Sequence, residues 1–288
     1  MSFFSERLCI IGSGLIGGSL ALALKQAGAV AEVVGCGRRV ETLQRAQALG
    51  LIDRFETEVA RAVEGADMVV LATPMLSMRA VMEQIKPVLT PNMLLTDVGS
   101  VKQSIIVEAA QVLGEQLGRF VPGHPIAGAE KSGPDAAQAA LFAGRRVIVT
   151  PLEQNAAQDV ERVMAMWRCV GASVESMSPE HHDHVLAATS HLPHLLAFTL
   201  VDSLARMDER HEVFRYAAGG FRDFTRIAAS DPTIWRDIAL ANSTEIQAML
   251  QRYQDDLTSL QHDLKHGDAL ALFERFSRAQ RAREGLKF

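Results

Sequence analysis

Short apolar runs separated by longer stretches of helical spacing mark the first half of the chain. Arg7 to Ile11, Glu32 to Cys36, Met68 to Ala72, Met93 to Thr96 and Arg146 to Thr150 are rich in Val, Ile and Leu and too brief for helices. Helical stretches lie between most of them, the first from Ser19 to Ala27. Strands alternating with helices predict an α/β fold built on a doubly wound parallel sheet. From Ser178 onward the strand-like runs stop, and Ser178-Pro179 and Asp231-Pro232 each join a capping side chain to a proline suited to the first helical turn. The pattern predicts two domains, an α/β domain over 1–177 and an all-helical one over 178–288. Val185 to Ala205 is apolar on nearly every face, more than a small helical domain buries alone, which predicts a second subunit over part of it. Pro193 lies inside that stretch, cannot donate to the Thr189 carbonyl, and predicts a kink in a helix running from Pro179 to Ala205. A charged helix is expected from about Asp268 to Arg283.

The first strand runs directly into Gly12-Ser13-Gly14-Leu15-Ile16-Gly17, which opens the first helix. This is the G-x-G-x-x-G pattern in the strand-turn-helix setting it requires. The first glycine permits the tight turn, the second lets a pyrophosphate approach the backbone, and the third lets helix and strand pack closely. The helix amino terminus adds N–H groups and partial positive charge. These features predict a Rossmann-type dinucleotide site. Where an acidic residue would hold the ribose 2'-hydroxyl of NAD, the second strand is followed by Gly37, Arg38 and Arg39. A guanidinium suits a 2'-phosphate, so NADP is favoured, with NAD not excluded and two solvated arginines as the plainer alternative. Thr73-Pro74 ends another strand at the carboxyl edge of the sheet and is expected to border the cofactor.

Bulk properties narrow the class. The 288 residues are 48% hydrophobic and carry a formal charge of -5, enough apolar material for two domains and no basic cluster of the kind nucleic-acid binders use. Cys9, Cys36 and Cys169 form neither a C-x-x-C pair nor a disulfide framework and read as reduced thiols. Glycines interrupt the apolar stretch from Leu8 to Leu24, so neither a targeting segment nor a membrane span is expected, and the protein is expected to be cytoplasmic.

Candidate chemistry concentrates in Gly-His-Pro-Ile-Ala-Gly-Ala-Glu-Lys-Ser-Gly-Pro, positions 123–134, a loop that glycine and proline hold in shape around His124, Glu130 and Lys131. Ser100-Val101-Lys102-Gln103 reads as an S-x-x-Q capping box at the start of a helix through Ile105 and Ile106. Together with Asp97-Val98-Gly99-Ser100-Val101-Lys102, Ser190-His191-Leu192-Pro193-His194 and Asp223-Phe224-Thr225-Arg226, these motifs make the chain resemble the prephenate and arogenate dehydrogenases of tyrosine biosynthesis over nearly its whole length.

The resemblance implies oxidative decarboxylation of a cyclohexadienol. Hydride leaves the ring carbon bearing the hydroxyl, a ring carboxylate departs as carbon dioxide, and the ring becomes aromatic. It implies His124 as the base that takes the hydroxyl proton, with Ser100 between that histidine and the hydroxyl; one hydroxyl can serve both this purpose and the helix cap. Arg226 matches the family's carboxylate-binding arginine, against a plainer pairing with Asp223 or Asp231. Arg222 would widen the positive patch, although the family often has lysine there. His194, then His191, matches the side-chain end of the substrate, and Glu130 would order the loop or an arginine. A homodimer through the helical domain is implied, and with the chain ending at Phe288 no appended regulatory or mutase domain is expected.

Three readings compete with this one. A metal site from His191, His194, His181, His182 and His184 lacks carboxylate or cysteine spacing, so none is expected. Another two-domain hydroxyacid or imine dehydrogenase would use Lys131 as its base. A nucleotide-sensing protein without chemistry would have no use for His124, Ser100 and Arg226 together.

Overall fold

The computed structural model describes residues 3–128 and 131–286. They fall into two compact units, Met1–Asn242 and Ser243–Phe288.

In the first unit the strands are β1 (Ser5–Ile11), β2 (Val30–Cys36), β3 (Arg54–Glu56), β4 (Met68–Leu71), β5 (Leu94–Asp97), β6 (Phe120–Val121), β7 (Gly123–Pro125), β8 (Arg146–Val149) and β9 (Ser173–Ser176). Six of them form a parallel sheet in the order β3-β2-β1-β4-β5-β6. Its helices are α1 (Leu15–Gln26), α2 (Val40–Ala48), α3 (Val59–Ala62), α4 (Met78–Ile85), α5 (Gln103–Leu113) and α6 (Ala157–Cys169). Side chains on a strand alternate between faces, and the sheet uses both. Leu8 and Ile10 of β1 join Leu20 and Leu24 of α1 and Trp167 of α6, while Cys9 and Ile11 join Met82 of α4 and Ile105 of α5. The sheet is therefore covered by helices on both sides, as a Rossmann-type fold requires.

One expectation is corrected. The run Arg146 to Thr150 supplies strand β8 (Arg146–Val149), but that strand lies outside the doubly wound sheet, in a three-stranded sheet ordered β7-β8-β9. There β8 runs antiparallel to β7 and parallel to β9, with His124 opposite Ile148. An apolar run identifies a strand but not its neighbour, because pairing depends on residues far away in sequence.

Every described element after β9 is helical: α7 (Pro179–Leu186), α8 (Leu192–Ala205), α9 (Arg210–Arg215), α10 (Gly219–Thr225) and α11 (Pro232–Ala241) in the first unit, then α12 (Ser243–His266) and α13 (Ala269–Glu284) in the second. Both cap-plus-proline starts form. Ser178 accepts from the His181 amide, and Asp231 accepts from the Thr233 and Ile234 amides. Between α7 and α8 the residues Ala187–His191 make a π-helical turn. It ends just before Pro193, whose missing N–H leaves the ladder open there. Pro179–Ala205 is, among the described residues, the one run long and apolar enough by length and composition to cross a membrane, although none was expected; only 22% of its most apolar window is buried within the chain.

In the second unit α12 and α13 form a helical hairpin through Gly267, whose φ of 62° suits the turn. Asp268 caps α13 through the Ala271 amide. Arg275 bridges the two helices, reaching Ser259 Oγ at 2.7 Å and Asp263 at 3.1 Å.

Candidate active site

The glycine turn after β1 divides its three glycines by role. A Cβ on Gly12, whose φ is 106°, would stand 2.3 Å from the Ala72 carbonyl oxygen, and one on Gly17 would stand 2.3 Å from the Gly12 oxygen. Around Gly14 nothing lies within 4 Å. Two glycines are thus demanded by packing and the middle one faces open space, the arrangement a pyrophosphate needs. The buried hydroxyls of Ser13 and Thr73 have no hydrogen-bond partner among the described residues, which fits a polar ligand at this edge. Leu15 and Ile16 open α1, whose amino-terminal amides face the same turn. Arg38 and Arg39 are exposed after β2 and make no ion pair among the described residues, and Pro74 is exposed after β4.

The chemistry-bearing cluster is assembled at the same carboxyl edge, from the end of β5. Asp97 accepts from the Gly99 amide at 2.8 Å, from the Gly123 amide at 3.1 Å and from Lys102 Nζ at 2.5 Å. Lys102 Nζ also donates to the Gly123 carbonyl at 2.7 Å, and both charged side chains are fully buried. Burial pushes the lysine pKa down, while the Asp97 charge works against it. This buried pair ties the turn after β5 to the residue that precedes His124.

His124 is 8% exposed on β7. Its Nδ1 lies 2.8 Å from His182 Nε2, and His182 Nδ1 lies 2.8 Å from Asp183 Oδ1. Burial above all, with the Lys102 cation acting in the same direction, holds the His124 pKa well below the ordinary histidine value. Burial likewise lowers His182. Asp183 reaches back to the start of α5, accepting from the Lys102 and Gln103 amides at 2.8 Å each. The expected capping box is therefore corrected: Ser100 does not cap α5. The helix begins at Gln103, with Lys102 at its N-cap, and a carboxylate from α7 supplies the acceptor that Ser100 was expected to provide. Ser100 is left half-buried, its hydroxyl free of helix-capping duty.

Asn242 Nδ2 donates to the Asp183 carbonyl at 2.9 Å and lies 3.1 Å from His191 Nδ1. His191 is buried beside the Ser100 backbone, and burial lowers its pKa to about 4. His194 stacks on Trp235 with ring centroids 3.7 Å apart, and its Nδ1 donates to the Ser190 carbonyl at 2.8 Å. Burial lowers the His194 pKa, the Ser190 carbonyl opposes that, and the Arg226 cation adds to it, which puts Arg226 within electrostatic reach of His194. Arg226 opens the 3-10 turn after α10. Arg222 does not join this group; its side chain is 83% exposed and faces Asp223 at 3.6 Å. Glu130 lies outside the described residues. Lys131 is exposed, as are His181 and His184, whereas His182 is buried in the histidine chain.

Sequence reasoning brought forward His124, Ser100, His191, His194 and Arg226 but missed His182, Asp183 and Asn242 as parts of the site. The local signal for His182 and Asp183 was an adjacent histidine and aspartate in the first turns of a proline-capped helix, and Asn242, at the end of α11, carried none.

A dinucleotide cradle beside a buried, neutral imidazole defines a dehydrogenase that uses a nicotinamide cofactor. Comparison with known proteins carries this to a family. Residues 20–176 match the model of the prephenate dehydrogenase nucleotide-binding domain, and residues 178–278 match that of the prephenate dehydrogenase dimerization domain. The chain is 38% identical to the cyclohexadienyl dehydrogenase of Zymomonas mobilis over 284 residues, 98% of this chain and 96% of the relative. It is 36% identical to the prephenate dehydrogenase of Bacillus subtilis over 288 residues, 99% of this chain and 77% of the relative. Among solved structures, prephenate dehydrogenase from A. aeolicus, in complex with hydroxyphenyl propionate and NAD+, superposes with a TM-score of 0.93 at 35% identity and covers 100% of both chains. Arogenate dehydrogenase from Synechocystis gives 0.80 at 26% identity, covering 96% of this chain and 99% of that one. The chain belongs to the prephenate dehydrogenase family.

Proposed function

We propose that the protein oxidatively decarboxylates prephenate, arogenate or both, with His124 as the general base and NADP as the preferred hydride acceptor. The observation that carries this reading is the His124 imidazole, buried and held neutral at the sheet edge that also bears the glycine cradle. A neutral imidazole accepts a proton at physiological pH, and base catalysis of this kind is worth about 10²–10⁴ in rate.

The nicotinamide cofactor, when bound, supplies the acceptor for the hydride that leaves the ring carbon carrying the hydroxyl. Gly12 to Gly17, Ser13 and Thr73 hold its phosphate end, and the exposed guanidinium groups of Arg38 and Arg39 suit a 2'-phosphate. His124 takes the hydroxyl proton while the ring C–C bond to the departing carboxylate breaks, and that electron pair completes the aromatic ring. Ser100 stands by the histidine cluster with its hydroxyl available to the same oxygen. Arg226 and His194 receive the carboxylate-bearing side chain, and His191 supports them. The helical domain carries the dimer.

A dehydrogenase of saturated hydroxy acids with Lys131 as base is the competing reading, and the exposure of Lys131 weighs against it. Incubating the purified protein with NADP or NAD and each substrate separates the two. Reduced nicotinamide is expected with prephenate or arogenate and not with saturated hydroxy acids; reduction with the saturated acids alone overturns the proposal.

A further inference from the structure

The chain from Asp183 through His182 to His124 determines where protons sit, and the hydrogen-bond partners leave little choice. Asp183 is surrounded by donors: the Lys102 and Gln103 amides and a ring nitrogen of His182. Burial acts to raise its pKa, but those three hydrogen bonds outweigh burial and hold it below the ordinary carboxylate range. An ionised carboxylate only accepts, so His182 Nδ1 carries a hydrogen. Burial keeps His182 neutral, so its Nε2 has a lone pair and no hydrogen. His124 Nδ1, 2.8 Å away, must then be the donor. A neutral imidazole has one hydrogen, and on His124 it is committed to the Nδ1 bond with His182.

We infer that His182 and Asp183 are positioning residues that fix His124 in its Nδ1–H tautomer, leaving Nε2 as the unprotonated atom that receives the substrate hydroxyl proton. This rests on the reading of His124 as the base and adds to it the device that prepares the base. Neither His182 nor Asp183 changes its bonding when the proton arrives. The hydroxyl O–H breaks, an N–H forms at His124 Nε2, and the resulting imidazolium keeps its Nδ1–H bond to His182. The carboxylate that sets this chain in order also caps α5, so the base is registered to the same helix start as the turn carrying Ser100 and Lys102.

Because Asp183 has that second duty, His182 is the position to test. In His182→Leu the acceptor disappears and the His124 hydrogen is free to move to Nε2. In His182→Gln a carbonyl oxygen returns an acceptor to the place of the lost Nε2. Turnover of His182→Leu is expected to fall about 10- to 100-fold with KM for substrate and cofactor within about threefold, and His182→Gln is expected to recover most of the loss. Nitrogen NMR of ¹⁵N-histidine protein reads the tautomer without reference to activity. The parent protein is expected to show His124 with an unprotonated Nε2, and His182→Leu a protonated fraction there. A His124 protonated at Nε2 in the parent protein overturns the inference whatever the kinetics. So does a tautomer unchanged in His182→Leu. A tautomer that moves while turnover stays constant upholds the relay and removes His124 as the base instead.

Discussion

A backbone carbonyl can only accept, and at His194 that fact orders a side chain: Nδ1 donates to the Ser190 oxygen, and with burial lowering the pKa the neutral ring is left with an unprotonated Nε2. The glycines of the cradle are fixed in a comparably local way. Gly12 and Gly17 have no room for a Cβ and Gly14 has no need of one, so their roles were legible in the sequence as a motif. Ser100 was misread for the opposite reason. An S-x-x-Q spacing is local, but the acceptor that actually caps α5 comes from Asp183, and no local pattern records that. Cofactor choice also belongs to single residues. Placing Asp at Gly37 while replacing Arg38 by Gln would add a partner for a ribose hydroxyl and remove one for a 2'-phosphate. Relative kcat/KM for NADP against NAD, measured with the same substrate, is expected to shift toward NAD; an unchanged ratio means that the 2'-phosphate is held elsewhere.

At the scale of elements, apolar runs and cap residues located most strands and helices, including the starts of α7 and α11. They did not reveal that β8 abandons the main sheet, nor that β7 presents its histidine from the second sheet, since pairing is a long-range property. What joins the two sheets at the site is the buried Asp97–Lys102 pair, which links the end of β5 to Gly123 at the head of β7. Removing one member of a buried pair strands the other charge. Lys102→Met is expected to lower unfolding free energy by about 3–5 kcal/mol, measured by denaturant titration, and to reduce turnover through the loosened β7. A loss under about 1 kcal/mol would mean that the pair does not hold the strands together.

For the molecule as a whole, the apolar surface left by the helical half calls for a partner. Leu264, Leu270, Phe273 and Phe276 of the α12–α13 hairpin are all more than half exposed, and a dimerization-domain model matches residues 178–278. Light scattering is expected to give twice the chain mass of 31.3 kDa, and Phe273→Asp, by putting a charge on this face, is expected to shift the protein toward monomer. A parent protein that runs as a monomer at micromolar concentration would refute the dimer. The proposed function rests on one buried imidazole held neutral. The most direct measurement is the turnover of the intact His124→Asn protein, followed as reduced nicotinamide at saturating prephenate or arogenate. A fall of about 10²–10⁴ with KM little changed is the expected result, and turnover within a few-fold of the parent protein would contradict His124 as the base.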